Sequence, residues 1–172
     1  YIDQLTFTHN GNLIRYADDN TRVVENIADY RGTLYGNMYE YDYNGNMDYE
    51  SAKEVDFTYN LLNLPREADY GSNQKISYFY TFDGEKLRQT VEDNGTITKV
   101  DYCGPFVYET ASGVRSLKYF VTPEGRAVKN GATWDYEYNL KDHLGNTRAV
   151  IRDSSGVAQV IQERHYYPFG LE

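Results

Sequence analysis

Three histidines, one cysteine and a scatter of carboxylates are the residues of this chain that could do chemistry. His9, His143 and His165 lie far apart in sequence, and Cys103 stands alone. A transition-metal site needs several His or Cys ligands at close spacing, which this set does not supply. A single Cys also excludes a disulfide framework and any multi-Cys zinc site. Asp142-His143 has the residue types of an acid–base or metal pair. Neighbours on an extended chain point to opposite faces, however, so the two cannot easily share one substrate. Asp142 is expected instead to stabilise its own turn by hydrogen bonds. No D-x-D-x-D-G calcium loop is present, and Asp18-Asp19 and Glu92-Asp93 read as solvated turn charge. No nucleotide loop, G-x-S-x-G elbow or Ser/His/Asp order occurs. The expectation is a chain with no catalytic, cofactor or metal site. Cys103, flanked by Tyr102 and Phe106, is expected to be a buried filler. Arg148 and Arg152 bracket Ala149-Val150-Ile151, which predicts a shared exposed strand face and a pairing with Asp142 or Asp153.

The elements that must position these residues follow from composition. The chain has 172 residues, the size of one domain with a real core. It carries 19 Tyr against 7 Phe and 1 Trp, with 14 Gly and 14 Asn. Such an aromatic content does not fit disorder. No segment approaches the roughly 18 uncharged apolar residues of a membrane-spanning helix. A net charge of -9 argues against a nucleic-acid surface, because that affinity rests on Lys and Arg neutralising phosphates. Tyrosine suits half-wet β-structure, where the ring is buried and the hydroxyl reaches water or a backbone acceptor.

Period two dominates the pattern. Tyr39, Tyr41 and Tyr43 share one face, as do Val55, Phe57 and Tyr59, and Ile76, Tyr78, Tyr80 and Phe82. Leu117, Tyr119 and Val121 repeat it, as do Trp134, Tyr136 and Tyr138. The residues between are mostly polar, as expected of strands with one buried face. No helical periodicity is sustained. Asn10-Gly11, Asn44-Gly45, Asp83-Gly84 and Asn94-Gly95 separate extended segments and predict type I′ hairpin turns. Further turns are expected at Pro123-Glu124-Gly125, His143-Leu144-Gly145 and Ser154-Ser155-Gly156.

Aligning turns with the aromatic before them exposes a repeat. Tyr41-Asp42-Tyr43-Asn44-Gly45-Asn46-Met47 reads Y-D-x-x-G-N-apolar, and Phe7 through Leu13 is the same unit with Phe for Tyr. Tyr59 through Leu64 reads as a version one residue shorter, and Tyr80 through Leu87, containing Gly84, as one residue longer. A unit of this size cannot bury its own face, so neighbours must stack. The fold predicted is all-β, a continuous antiparallel sheet of stacked β-hairpins with little or no helix.

The repeat unit resembles the Y-D-x-x-G-x-apolar signature of the YD-repeat, or Rhs (rearrangement hot spot), family. The C-terminal part carries more specific motifs. Asp142-His143-Leu144-Gly145 with Arg148, then Asp153 with Gly156, then His165-Tyr166-Tyr167-Pro168-Phe169-Gly170, resemble in order the D-H-L-G-x-x-R, D-x-x-G and Y-x-P-F-G elements of the Rhs-associated core. The resemblance is loosest over residues 15–36. It implies hairpin repeats over 1–102 and a core region over 103–172, expected to form one continuous unit and a section of a longer chain. Members of the family wind hairpin spirals into a hollow shell, in bacteria commonly around a variable C-terminal toxin, hence the term polymorphic toxin. Many cores are self-cleaving aspartyl proteases. Their aspartates lie in a segment after P-F-G that this sequence does not contain, so the role is not carried over to Asp142 or Asp153.

The resemblance thus implies a noncatalytic structural segment of a secreted or surface-displayed bacterial shell. Its partners are the rest of the parent chain, namely adjacent repeats and a C-terminal toxin. Self-association through exposed sheet edges is also expected. A rival reading is a cell-surface carbohydrate-binding module that stacks exposed tyrosines on glycans. A weaker rival is a glycosidase with two carboxylates in a cleft.

Overall fold

The structure, a computed structural model, describes residues 4–19, 37–154 and 156–166. The fold is all-β, with no helix among the described residues and fifteen antiparallel strands whose order in the sheet follows chain order. Among the described residues, therefore, no helix is long and apolar enough to cross a membrane. The chain divides into two compact units, Tyr1–Thr98 and Lys99–Glu172.

The first unit holds β1 (Leu5–Asn10), β2 (Leu13–Asp19), β3 (Asn37–Tyr41), β4 (Met47–Glu50), β5 (Val55–Tyr59), β6 (Pro65–Asp69), β7 (Gln74–Tyr80) and β8 (Lys86–Asp93). β9 (Thr96–Cys103) begins in this unit and ends in the second. Directly opposed residues share a face, so register defines the apolar side. Phe57 lies opposite Ala68, Ala68 opposite Ile76, and Ile76 opposite Val91. Ala17 joins the same alternation between Phe7 and Asn37. Val55, Ala17 and Ala68 on this side are buried. The other face is polar: Lys75 pairs with Glu67 and Asp69, each at 3.2 Å. The stripes Val55–Phe57–Tyr59 and Ile76–Tyr78–Tyr80 are thus strand stripes. Tyr43 does not continue the Tyr39–Tyr41 stripe, and Phe82 does not continue the Ile76–Tyr80 one. Both sit in turns beyond the strand ends, with their side chains in solvent.

The second unit holds β10 (Phe106–Ala111), β11 (Val114–Thr122), β12 (Gly125–Asn130), β13 (Thr133–Lys141), β14 (Thr147–Ser154) and β15 (Val157–Glu163). Two of its expected stripes behave differently. Tyr108 lies opposite Leu117 and Val107 opposite Tyr119, so Lys118 is an extra residue. A bulge of one residue reverses the alternation, and Leu117 and Tyr119 face opposite sides. Trp134, Tyr136 and Tyr138 do share a face, but it is the wetter one. Tyr136 and Tyr138 are 49% and 42% exposed while Glu137 between them is 2% exposed. Two arginines compensate that carboxylate: Arg126 Nε donates to Glu137 Oε2 at 2.6 Å, and Arg152 donates to Oε1. Arg152 therefore pairs with Glu137, and with Asp135 at 3.7 Å, rather than with Asp142 or Asp153. Cys103 is exposed, because it ends β9 at a hairpin tip rather than within a covered strand.

Turn chemistry corrects another expectation. Only Asn94-Gly95 of the four Asn-Gly and Asp-Gly pairs has positive φ at both residues, 49° and 84°, as type I′ requires. At Asn10-Gly11, Asn44-Gly45 and Asp83-Gly84 only the glycine is left-handed. Pro123-Glu124 makes the β11–β12 turn, whereas Gly125 belongs to β12. A Cβ on Gly125 would lie 2.0 Å from the Glu137 carbonyl oxygen, so the two backbones meet there at glycine distance.

Candidate functional site

The repeat signature folds into a single local device. At Asp42–Asn46, Asp42 N–H donates to the Asn46 carbonyl at 2.8 Å, and Gly45 N–H donates to the Asp42 carbonyl at 3.1 Å. Gly45 is left-handed at φ 85° and Asn44 is not. This is a three-residue hairpin loop, a type I turn closed by a left-handed residue. Asp42 Oδ1 accepts the N–H groups of Asn44 and Asn46, both at 2.9 Å, while Asp42 Oδ2 accepts the Asn46 side-chain amide. The Asn46 amide bond leads, with the backbone donors, in holding the Asp42 carboxyl below the ordinary aspartate range. Asp42, Gly45 and Asn46 of the motif therefore each have a geometric role, as the cap oxygen, the left-handed residue and the returning amide.

The next two copies have the same length. Asn60 Oδ1 accepts from Leu62 and Leu64 at 2.9 and 3.0 Å, and Asn60 N–H reaches the Leu64 carbonyl at 3.0 Å. Asn63, at φ 57°, stands where Gly45 stood, and Pro65 replaces Met47. In the third copy Thr81 Oγ1 is the cap, accepting from Glu85 N–H at 2.9 Å and donating to Asp83. Gly84 is left-handed at φ 95°, and Lys86 takes the Met47 place. Neither copy is shortened or lengthened. Asn tolerates the left-handed region, and an aliphatic stem can fill the apolar place, so substitution alone accounts for both.

The core motif is a fourth copy. Asp142 Oδ1 accepts from Leu144 and Asn146 at 3.0 Å, and Asp142 Oδ2 accepts from the Asn146 amide at 3.1 Å. Asp142 N–H donates to the Asn146 carbonyl at 2.9 Å, and Gly145 lies at φ 88°. Burial pushes the Asp142 carboxyl up, but the Asn146 amide, two backbone N–H groups and nearby His143 outweigh it and leave it lowered. His143 occupies the place of Tyr43 and points, like Leu144, into solvent. The downstream Asp153 accepts the N–H of Gly156 at 2.7 Å, closing the β14–β15 turn. Tyr167, Pro168, Phe169 and Gly170 lie outside the described residues.

A second device joins one copy to the next. One residue past each turn the register slips, with Asp48, Arg66, Leu87 and Arg148 as the extra residues. A bulge disrupts the local ladder and its carbonyl acceptors need other donors. The hydroxyl of Tyr59 donates to the Met47 carbonyl at 2.6 Å, that of Tyr80 to Pro65 at 2.9 Å, and that of Tyr166 to Thr147 at 3.1 Å. Tyr59 and Tyr80, which open the second and third turns, thus each latch the exit of the turn before, and Tyr166 latches the exit of the Asp142 turn. Burial, with Asp42 and Asp48 nearby, raises the Tyr59 phenol, and burial beside Tyr78 raises Tyr80. Both hydroxyls are therefore held as neutral donors. Arg148 lies 5.5 Å over the Tyr166 ring and braces the last latch. Nothing in the sequence pattern singles out Glu137, whereas Tyr166 stands at the first position of the Y-x-P-F-G element. The interval from turn exit to latch grows from 12 to 15 to 19 residues, which hides Tyr166 from a fixed-period search.

Grooves in this part of the molecule are small and open. One of about 530 Å³ lies between the first two latched turns, lined by Asp42, Asn44, Tyr59, Asn60, Leu61 and Arg66. Of the four described pockets none brings two carboxylates together. The chemistry on display is hydrogen bonding that fixes hairpins and couples neighbours.

No protein-family model matches the chain, and no curated protein matches it in sequence. Among solved structures the chain is similar to the crystal structure of TcdB2-TccC3-TEV, with 14% identity and a TM-score of 0.54. The likeness covers 96% of this chain and 10% of that one, so the chain spans about a tenth of the protein it matches. At this identity the likeness is one of fold.

Proposed function

We propose that this chain is a noncatalytic wall segment of a bacterial Rhs/YD-repeat shell protein, secreted or displayed at the cell surface, whose parent encloses or displays a C-terminal toxin. Its role is mechanical. The observation that supports this most directly is the tyrosine latch at Met47, Pro65 and Thr147, which ties successive hairpins into a wall. The partners are adjacent repeats of the parent and the cargo behind them. The hairpin-sheet likeness to TcdB2-TccC3-TEV supports the same reading. The test uses the whole parent protein, sequenced from its reading frame and digested with proteinase K under native conditions. The expected result is further hairpin repeats before Tyr1 and a segment after Gly170 that resists digestion until Tyr59, Tyr80 and Tyr166 are all changed to Phe. A segment digested as readily in the native wild-type protein as after unfolding refutes an enclosing wall, and equal resistance with and without the latches removes their role in it.

One observation favours a second reading, a carbohydrate-binding module. Trp134, Tyr136 and Tyr138 share a face on which the two tyrosines are exposed. Stacking on sugar rings would use these faces. Glycan-array binding abolished by Tyr136→Ser and Tyr138→Ser supports the module, and an array without binding removes it.

A further inference from the structure

The Asn-Gly pairs of this sequence carry a chemistry that hairpin formation does not use. The backbone nitrogen that follows an asparagine can attack the side-chain carbonyl carbon of that asparagine. A bond forms from the nitrogen to Cγ, the Cγ–Nδ2 bond breaks, and ammonia leaves. Water then opens the cyclic imide at either carbonyl and gives aspartate or isoaspartate, so the net change is water in and ammonia out. Glycine after Asn permits the attack best, because no Cβ stands in the way. Asn10-Gly11, Asn44-Gly45, Asn94-Gly95 and Asn130-Gly131 have the required sequence, and both residues of every pair are exposed.

Sequence and exposure therefore do not separate the pairs, but hydrogen bonds do. At Asn44-Gly45 both reacting groups are held. Asn44 Nδ2 donates to Asn63 Oδ1 at 3.1 Å, and Gly45 N–H donates to the Asp42 carbonyl at 3.1 Å. At two other pairs the leaving amide alone is held. Asn94 Nδ2 donates to Asp93 Oδ1 at 2.8 Å, and Asn130 Nδ2 donates to Asp135 Oδ2 at 3.0 Å. At Asn10-Gly11, among the described residues, the Asn10 side chain makes no hydrogen bond and Gly11 N–H donates none. No atom lies within 4 Å of where a Cβ on Gly11 would be, so the space around the reacting groups is open.

We propose that Asn10 is the residue at which this chain spontaneously deamidates, and that the latched turn protects Asn44. Ring closure at Asn44 must first open two ordinary hydrogen bonds, each worth about fivefold in rate, so Asn10 converts about 25-fold faster. Asn94 and Asn130, with one bond each, fall between. The product puts a carboxylate into the groove that residue 10 shares with Arg15 and Glu40. Its isoaspartyl form adds a carbon to the main chain at the last rung of β1–β2, where Asn10 lies opposite Leu13. The modification thus marks age on the first hairpin, and it does not rest on the wall reading.

Peptide mapping by tandem mass spectrometry tests this on the whole chain, held for weeks at physiological temperature and pH. Trypsin places the asparagines of the pairs in separate peptides, 1–15, 32–53, 89–99 and 130–141. Fragmentation then assigns the amide-to-acid mass gain to one residue. The gain is expected first at residue 10 and last at residue 44. In chain unfolded by guanidinium chloride the rates are expected to converge. Asn63→Gly keeps a residue suited to positive φ in the second turn and removes the acceptor of the Asn44 amide. It is expected to speed conversion at Asn44 about fivefold and to leave Asn10 unchanged. A folded chain in which another of these asparagines converts ahead of Asn10 overturns the site. The same order and spread in the unfolded chain overturns it as well, since local sequence would then set the rates. An Asn44 rate unmoved by Asn63→Gly overturns protection by the turn.

Discussion

Tyr59→Phe isolates the latch, because it removes one hydroxyl and keeps the ring. The lost bond, 2.6 Å to the Met47 carbonyl in a partly buried setting, leaves that acceptor without its phenol donor at the bulge. A typical hydrogen bond contributes about 1 kcal/mol net, and an orphaned acceptor adds a penalty that partial water access reduces. Together these give a loss of about 1.5 kcal/mol. For a chain of this size that corresponds to about 3–6 °C in melting temperature. Urea unfolding with an unchanged slope is the appropriate assay, since the midpoint then reports stability alone. Tyr166→Phe should lose about 1 kcal/mol, and Tyr80→Phe about 0.5 kcal/mol because its bond is exposed. Tyr43→Phe, fully in solvent, should lose nothing measurable. An alkaline arm gives an independent sign. The folded-state pKa of Tyr59 lies above its unfolded value near 10, so its stabilisation is complete below that pH and is lost as pH rises through the folded pKa. The difference between wild type and Tyr59→Phe should shrink there. A Tyr59→Phe protein within about 0.3 kcal/mol of wild type, beside a strongly destabilised Tyr59→Leu, would show that ring packing alone joins the hairpins.

Three further outcomes follow from particular atoms. Gly45→Ala should destabilise by about 1–2 kcal/mol in urea unfolding through left-handed strain alone, because no atom lies within 4 Å of its missing Cβ. Gly45→Asn should nearly restore wild type, as Asn63 holds the same place one hairpin on. Gly125→Ala meets a backbone oxygen that no rotamer can move, and a loss of about 3 kcal/mol or failure to fold is expected; a calorimetric melting point equal to wild type would contradict the close approach. Burial raises Glu137, but Arg152 and Arg126 together leave it lowered, so its contribution is present above the unfolded carboxyl pKa and is lost as pH falls through the folded one. Glu137→Gln should lose about 1–2 kcal/mol at pH 7, discounted for the half-exposed arginines, and converge with wild type in acid unfolding titrations.

The strand pattern is legible in the sequence because burial on one face imposes period two regardless of which apolar residue is used. Val55, Phe57 and Tyr59 declare that face without help from their neighbours. The second unit is less legible for two physical reasons. A bulge at Lys118 reverses the alternation and leaves no mark in composition. Glu137 is buried by two arginines that arrive from β12 and β14, and nothing local to β13 announces them. Reading Asn44-Gly45 as a type I′ turn fails for a related reason. The Asn-Gly pair permits two left-handed residues but does not demand them, and the Asp42 cap two residues earlier selects the type I geometry instead.

The four turns also show why counting residues misjudges the repeat. Asp42, Asn60, Thr81 and Asp142 are four side chains with one property in common, an oxygen that accepts the N–H four residues on. Gly45, Asn63, Gly84 and Gly145 share a different one, tolerance of positive φ. Aligned by letters, the second and third copies need a deletion and an insertion; aligned by what each position must do, they need neither. The same criterion makes Asp142-His143-Leu144-Gly145-Asn146 a repeat turn and Tyr166 its latch. His143 then stands, exposed like Leu144, at the position filled by Tyr43, Leu61 and Phe82 in the other copies.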